Sequence, residues 1–287
     1  MGLKSLAGKE MRFVKLEGTG NDFVVVDARR KRADWASLAR DMCRHHFGVG
    51  ADGLIVLRRS SVADIGVSFY NADGSEAEVC GNGLRCLGKY ALERGIGTGA
   101  RVAVETLSGV RLLEAELDGK VVVRVKVNMG APRFRPGEIP ARVDGEGPVL
   151  DHDVQAAGRE VPLSLVSMGN PHAVGFVSQP VGGYPLGEVG KQVENHPLFP
   201  QRINFEVARV IRPGKIEVRV WERGVGETLS CGSGACAVAV VARLHGYTGV
   251  QTEIILPGGV LGISWDGSHE VHLTGEVKEV FRGEWLK

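Results

Sequence analysis

Net charge is almost absent from this 287-residue chain, in which 35 Lys and Arg stand against 34 Asp and Glu for a formal balance of +1. A surface that close to neutral has no long-range field to draw in nucleic acid or an anionic membrane, and neither is expected as a partner. Long apolar runs are missing too. No window approaches the ~18 uninterrupted apolar residues of a membrane span, and the start, MGLKSLAGKEMRF, has no apolar signal core. Cysteine is scarce and odd in number, at five, which argues against a secreted disulfide scaffold and for reduced thiols. The expectation is a soluble cytoplasmic protein, with residues 1–9 a leader or tag. Aromatic residues make up only 6%, so the core must be built from aliphatic side chains. Hydrophobic residues nonetheless reach 43% and charged residues 24%, which excludes disorder, collagen and coiled coil. Glycine is the excess: 41 of 287 residues, roughly twice the usual share, which implies many positive-φ turns and close backbone approaches.

Short β-rich runs dominate: Arg12–Leu16, Phe23–Asp27, Leu54–Arg58, Ile65–Tyr70, Arg101–Thr106, Arg111–Leu117 and Val121–Val127, then a second set from Leu163–Met168 to Glu270–Leu273. Turns such as Ser108-Gly109 and Asp118-Gly119 predict antiparallel meanders. Three helices are expected, at Trp35–Arg44, Gly83–Arg94 and Gly234–His245. The last two carry LRCLGKYAL and ACAVAVVARL, apolar around the whole circumference, so each must be wrapped by other elements.

An internal repeat organises these elements. The segment from Tyr70 through Cys80-Gly-Asn-Gly aligns without gaps on Trp221 through Cys231-Gly-Ser-Gly, 151 positions later, and a weaker echo pairs Gly20-Asn21-Asp22-Phe23 with Gly169-Asn170-Pro171-His172. Both copies run strand, Gly-rich turn, C-G-x-G, apolar helix. The fold expectation is therefore α+β: two pseudo-symmetric domains, each a curved, mostly antiparallel sheet around a central apolar helix. The first takes residues 10–128 and 276–287, with the last strand, near Val277–Trp285, returning to it; the second takes 129–275. The Pro- and Gly-rich stretch Met129–Gly147 reads as the linker.

Two matched cysteines at helix starts have a chemical reading. A thiol there meets the positive end of the helix dipole and unpaired N–H groups, which favours thiolate. The following glycines let backbone N–H groups cradle a carboxylate. If the two starts face one another, one thiolate removes an α-hydrogen while the other thiol delivers a proton to the opposite face, as in a two-base racemase. Zinc would want paired C-x2–4-C spacings, whereas these are C-x5-C and C-x4-C within helices, so no metal is expected. Cys43, Cys86 and Cys236 read as small buried hydrophobes. A thiol hydrolase using His172 or the His45-His46 pair leaves the second matched cysteine unexplained. A non-enzymatic redox switch formed by Cys80 and Cys231 explains the thiols but not the polar residues around them. No strand–GxGxxG–helix unit for a dinucleotide is present, and no cofactor is expected.

From about Phe13 to the C-terminus the sequence resembles the diaminopimelate epimerases. The resemblance rests on GTGNDF at 18–23, HFGVGADG at 46–53, FYNADGSEAEVCGNGLRC at 69–86, MGNPHAV at 168–174, ENHPLFPQRINFEV at 194–207 and WERGVGETLSCGSGACA at 221–237. It implies a pyridoxal-independent enzyme that interconverts LL- and meso-diaminopimelate on the route to lysine and peptidoglycan, acting as a homodimer. Cys80 and Cys231 match the family's acid/base pair. Gly81, Asn82, Gly232 and Ser233 match the amides that hold the carboxylate at the reacting centre. Asn21, Asn71, Asn170, Asn204, Glu222 and Arg223 match substrate contacts, and His172 with Glu222 match residues thought to adjust cysteine acidity. Departures are Gly53, where some relatives carry a substrate-touching glutamine, Ser233 for threonine, and Ile203 for threonine. Proline-type racemases share the implied fold and are the alternative reading; relatives of a phenazine-pathway isomerase share it without the cysteine pair.

Overall fold

The computed structural model describes residues 11–77 and 80–286; the expected leader at 1–9 lies outside them. The chain divides into two compact units, one running up to Val125 and resuming at Val277, the other Lys126–Glu276.

In the first unit the elements are β1 (Met11–Gly18), β2 (Asn21–Asp27), α1 (Trp35–Cys43), β3 (Gly53–Arg58), β4 (Ile65–Asn71), β5 (Glu76–Ala77), α2 (Gly81–Leu92), β6 (Arg101–Thr106), β7 (Gly109–Asp118) and β8 (Val121–Gly130). The second unit holds β9 (His152–Ala156), β10 (Arg159–Ser167), β11 (Pro171–Phe176), α3 (Leu186–Glu194), β12 (Asn204–Arg212), β13 (Lys215–Glu222), β14 (Gly226–Thr228), α4 (Gly232–Leu244), β15 (Gln251–Leu256), β16 (Gly259–Ser264) and β17 (Val271–Glu276). The terminal strand β18 (Lys278–Trp285) returns to the first unit and pairs antiparallel with β1. The strand β8 carries the chain from one unit into the other.

Strand pairing repeats element by element. β2 pairs parallel with β3, and β11 with β12; β3 pairs antiparallel with β4, and β12 with β13; β4 pairs parallel with β6, and β13 with β15. Outside those parallel pairs most neighbours form antiparallel hairpins, as the alternation in β6 and β15 demands: each shows one buried and one partly exposed face. The two apolar helices behave as their sequences require. Every residue of α2 from Gly81 to Ala91 is buried, and α4 is buried throughout except at Ser233 and its last turn. Strands β10–β12 and β15–β17 all pack on α4, whose Ala, Val and Cys side chains form one apolar cluster with Val166, Val218, Ile254 and Leu273. Both helices stop at a glycine in the left-handed region, Gly95 (φ 69°) and Gly246 (φ 75°), with Ile96 N–H bonded back to Ala91 O and Tyr247 N–H to Ala242 O.

Two sequence expectations differ from the structure. Met129–Gly147 packs within the second unit: Ile139 is fully buried, Phe134 lies against Trp265, and a short 3-10 turn begins at Pro136. Its prolines and glycines serve turns rather than a free tether. The helix α3 was not expected because Gly187 and Gly190 weaken its propensity. Tertiary packing supplies the reason for Gly190: a Cβ there would lie 2.6 Å from Trp221 Cγ, so only glycine lets the helix seat on that indole.

Candidate active site

The first unit builds its half around the start of α2. A two-residue turn, Thr19-Gly20, with both φ angles positive (54° and 77°), joins β1 to β2 and delivers Asn21 at the head of β2. Asp52 Oδ2 accepts from Asn21 Nδ2 at 2.7 Å and from the Asp22 N–H at 2.9 Å. That holds the amide so that Asn21 Oδ1 faces Cys80 Sγ at 3.7 Å and accepts from Asn82 Nδ2 at 3.3 Å. Cys80 is the N-cap of α2 (φ −122°, ψ 117°), its sulfur accepting from the Gly83 N–H at 3.4 Å. Beneath it lies Arg85, fully buried, donating from Nη2 to Asn82 Oδ1 at 2.7 Å and Thr19 Oγ1 at 2.8 Å. This guanidinium ties the helix start to the Thr19 turn. Arg85→Met removes that shared donor from buried acceptors and is expected to lower the unfolding free energy by about 2–4 kcal/mol, read by urea titration at unchanged m-value.

The second unit repeats the plan with different chemistry. Cys231 caps α4 at φ −123°, ψ 116°, within a degree of Cys80, and its sulfur accepts from the Gly234 N–H at 3.4 Å and lies 3.4 Å from Ser233 Oγ. Gly169 (φ 96°) turns the chain so that Asn170 leads into β11, where His172 is fully buried between Glu206 Oε1 (2.7 Å from Nδ1) and Asn170 Oδ1 (3.0 Å from Nε2). Asn204, at the head of β12, donates to Pro171 O at 2.9 Å and accepts from the Arg223 N–H at 2.8 Å. Arg223 Nη1 bonds to Gln201 O at 3.0 Å, and Glu222 Oε1 accepts from Thr228 Oγ1 at 2.6 Å.

Each half therefore gathers most of its expected residues: Asn21, Cys80, Gly81 and Asn82 in the first; Asn170, His172, Asn204, Glu222, Arg223, Cys231, Gly232 and Ser233 in the second. Asn71 is the exposed last residue of β4, opposite Gly53, with its Nδ2 on Ser75 Oγ at 2.9 Å. Cys43, Cys86 and Cys236 are buried among apolar side chains, as expected of them. Glu78 and Val79, inside the quoted motif, lie outside the described residues.

One expectation needs correction. A helix start alone favours thiolate, yet Cys231 is held as thiol: burial pushes it well above the ordinary thiol range, and the charges of Glu222 and Glu206 add to that, while Ser233 and the Gly234 N–H oppose without winning. Glu222 is also raised, first by burial and then by repulsion from Glu206, with Thr228, Cys231 and His172 acting against. Sequence reasoning passed over Arg85, Asp52 and Glu206. A lone Arg inside an apolar helix was the available signal for the first; Glu206, one acid within NFEVARV, carried none. Among the described residues no group of three His, Cys, Asp or Glu could hold a metal ion.

A sequence model of diaminopimelate epimerase matches residues 13–135 and 164–280. The chain belongs to the diaminopimelate epimerase family. It is 45% identical over 281 residues to the diaminopimelate epimerase of Pelotomaculum thermopropionicum, which covers 96% of this chain and 99% of that protein. It is 44% identical over 278 residues to that of Moorella thermoacetica, covering 96% and 99%. Among solved structures it is similar to a phenazine biosynthesis protein of the PhzF family from Bacillus anthracis (TM-score 0.68, 17% identity, 97% of this chain and 100% of that one). It is similar also to a hydroxyproline epimerase from Agrobacterium vitis (TM-score 0.70, 15% identity, 96% and 92%). At those identities the likeness concerns the fold, which is the α+β class expected from the repeat. In this member of the diaminopimelate epimerase family Gly53 has a packing reason. A Cβ there would lie 2.8 Å from Tyr70 O and 3.3 Å from the Phe23 ring, so the neighbouring strands close the place where the resemblance sets a glutamine.

Proposed function

We propose that this protein is a diaminopimelate epimerase, an isomerase that interconverts LL-2,6-diaminopimelate and meso-diaminopimelate without a cofactor, with Cys80 and Cys231 as its two bases. The observation that carries this reading is the pair of N-cap cysteines, matched in backbone angles and in the N–H group each receives, at the starts of two buried helices in a family of that activity. The amides of Gly81-Asn82 and Gly232-Ser233 lie in the first turns of α2 and α4, where helix N–H groups point outward, and are suited to one carboxylate. The mechanism requires the two thiols on opposite faces of one α-carbon. Cys80 as thiolate takes the α-hydrogen as a proton, the electron pair moves into the carboxylate held by the amides, and the Cys231 S–H gives its proton to the other face. Cys80 ends as thiol and Cys231 as thiolate; the reverse reaction exchanges the roles.

Asn21, Asn71, Asn170, Asn204, Glu222 and Arg223 are assigned to the substrate. The distal amino acid carries a carboxylate that needs donors and an ammonium that needs acceptors, and amide and guanidinium groups are fixed planar donors. Arg223→Lys is expected to raise KM for diaminopimelate by about tenfold or more, since an ammonium cannot reproduce a two-pronged donor, while alkylation of the two cysteines continues at its former rate. The protein is assigned to the cytoplasm as a homodimer in the making of lysine and peptidoglycan precursors. Proton NMR in deuterium oxide tests the activity directly: LL-diaminopimelate should lose its α-hydrogen signal as the meso form appears, whereas proline and glutamate should not change. Exchange of proline alone would move the assignment to a proline-type racemase.

A further inference from the structure

The repeat supplies its own control for the Cys231 half. In the first unit Phe23 lies opposite Gly53 and Val25 opposite Ile55; in the second His172 lies opposite Asn204 and Val174 opposite Glu206. Phe23 thus occupies the frame of His172, and Ile55 that of Glu206. Two apolar side chains in the Cys80 unit are replaced, at the same places in the Cys231 unit, by an imidazole and a carboxylate that are both fully buried. The first unit shows that this fold needs neither polar group for packing, and a buried carboxylate is costly. Glu206 Oε1 is bound to His172, and among the described residues Oε2 has no hydrogen-bond partner.

The place of that carboxylate suggests its task. A Cβ on Gly234 would lie 2.6 Å from Glu206 Oε1, and Gly234 is the residue whose N–H points at Cys231 Sγ. At the matched position of the first unit, Gly83, the Phe69 ring fills the same space, at 2.7 Å. A negative charge is therefore set against the α4 start, where the positive helix end would otherwise stabilise a thiolate, and a neutral ring is set against the α2 start. We infer that Glu206, oriented by His172, is a positioning residue that keeps the proton on Cys231 and so makes Cys231 the acid and Cys80 the base of the unliganded protein.

This inference rests on the two-thiol reading of the site. The groups facing Cys231 are Glu222 from β13, Glu206 from β12 with His172 of β11 bound to it, and Ser233 of α4. Among the described residues those next to Cys80 are Arg85 on α2, whose charge interacts with it, and Asn21, whose Oδ1 faces its sulfur and whose amide Asp52 holds. After a turnover that leaves Cys80 as thiol and Cys231 as thiolate, Cys80 releases its proton to water and Cys231 takes one from water; Glu206 favours that return.

Carbon-13 NMR of the full chain, labelled at cysteine Cβ and assigned with Cys→Ser variants, follows the ionisation of each thiol as pH is raised from about 6 to the onset of alkaline unfolding, without substrate and without a reagent reaching the sulfur. In the wild-type protein Cys80 should lose its proton at lower pH than Cys231. In Glu206→Gln the Cys231 midpoint should fall by about one pH unit or more while that of Cys80 stays. The double variant His172→Phe/Glu206→Ile writes the first unit's pair into the second, orphans neither partner, and should show the same fall. A Cys231 midpoint unmoved in both variants, or a wild-type protein in which Cys231 titrates first, overturns the inference; the wild-type order decides even if neither variant folds. Because no substrate is present, failure here is separate from failure of the epimerase assay.

Discussion

Cys80→Ser and Cys231→Ser are each expected to abolish epimerisation, with kcat reduced on the order of 10³-fold or more. Proton transfer by a positioned group commonly contributes 10²–10⁴-fold, and serine offers neither a ready base nor a ready acid at neutral pH, whereas a thiol sits within reach of both states. The substitution is nearly isosteric at an N-cap, a place where serine is itself a preferred residue, so each variant should fold and keep its unfolding midpoint. The two variants should differ in what survives. Each variant keeps one thiol and therefore one face, so one stereoisomer should still lose its α-proton in the Cys80 variant and the other in the Cys231 variant. Wash-out of α-tritium from each stereoisomer therefore distinguishes the faces. Near-normal two-way turnover in either variant refutes the two-thiol mechanism.

Loss of stability on the alkaline side is the second large effect. Four thiols are held above their ordinary value by burial: Cys43, pushed up to about 12, and Cys86, Cys236 and Cys231, all raised. In an unfolded chain each ionises near pH 8.5. Between that pH and the folded-state values the native protein binds more protons than the unfolded one, so stability falls as pH rises. The contribution is fully present below about pH 8 and is lost at about 1.4 kcal/mol per pH unit for each thiol. Four thiols acting together remove roughly 5 kcal/mol per pH unit, a large part of a typical domain's 5–15 kcal/mol. Urea unfolding under reducing conditions at pH 8, 9 and 10 should show this slope, and Cys236→Ala should reduce it by about a quarter. A midpoint constant over that range would mean that the thiols ionise in place and that the core admits water.

Much of the site was legible because its chemistry is local. The C-G-x-G segments, the turns before them and the apolar helices after them lie within a dozen residues of each cysteine, and a helix start gives a thiol the same backbone surroundings wherever it occurs. That is why Cys80 and Cys231 cap α2 and α4 with backbone angles that agree to a degree. The alternation of β6 and β15 and the uninterrupted apolar surface of α4 likewise state in sequence which faces are buried. Gly190 shows where that legibility ends: read along the chain it weakens a helix, and only the Trp221 indole against it makes the helix possible.

What sequence alone determined is the repeat, the two capping thiols and the wrapped helices, since each depends on residues near one another in the chain. Tertiary structure decided the acidity of Cys231. The dipole of α4 favours its thiolate, but burial and two carboxylates from β12 and β13 outweigh it, and electrostatic terms of that size arise only where distant segments exclude water together. Glu206 in NFEVARV reads like any strand glutamate until β11 sets His172 2.7 Å from it and α4 lays Gly234 against it. Arg85 reads as one charge within an apolar helix, and only the Thr19 turn and Asn82 closing over it supply its acceptors. A side chain's charge is written in the sequence; the medium in which that charge acts is made by the fold.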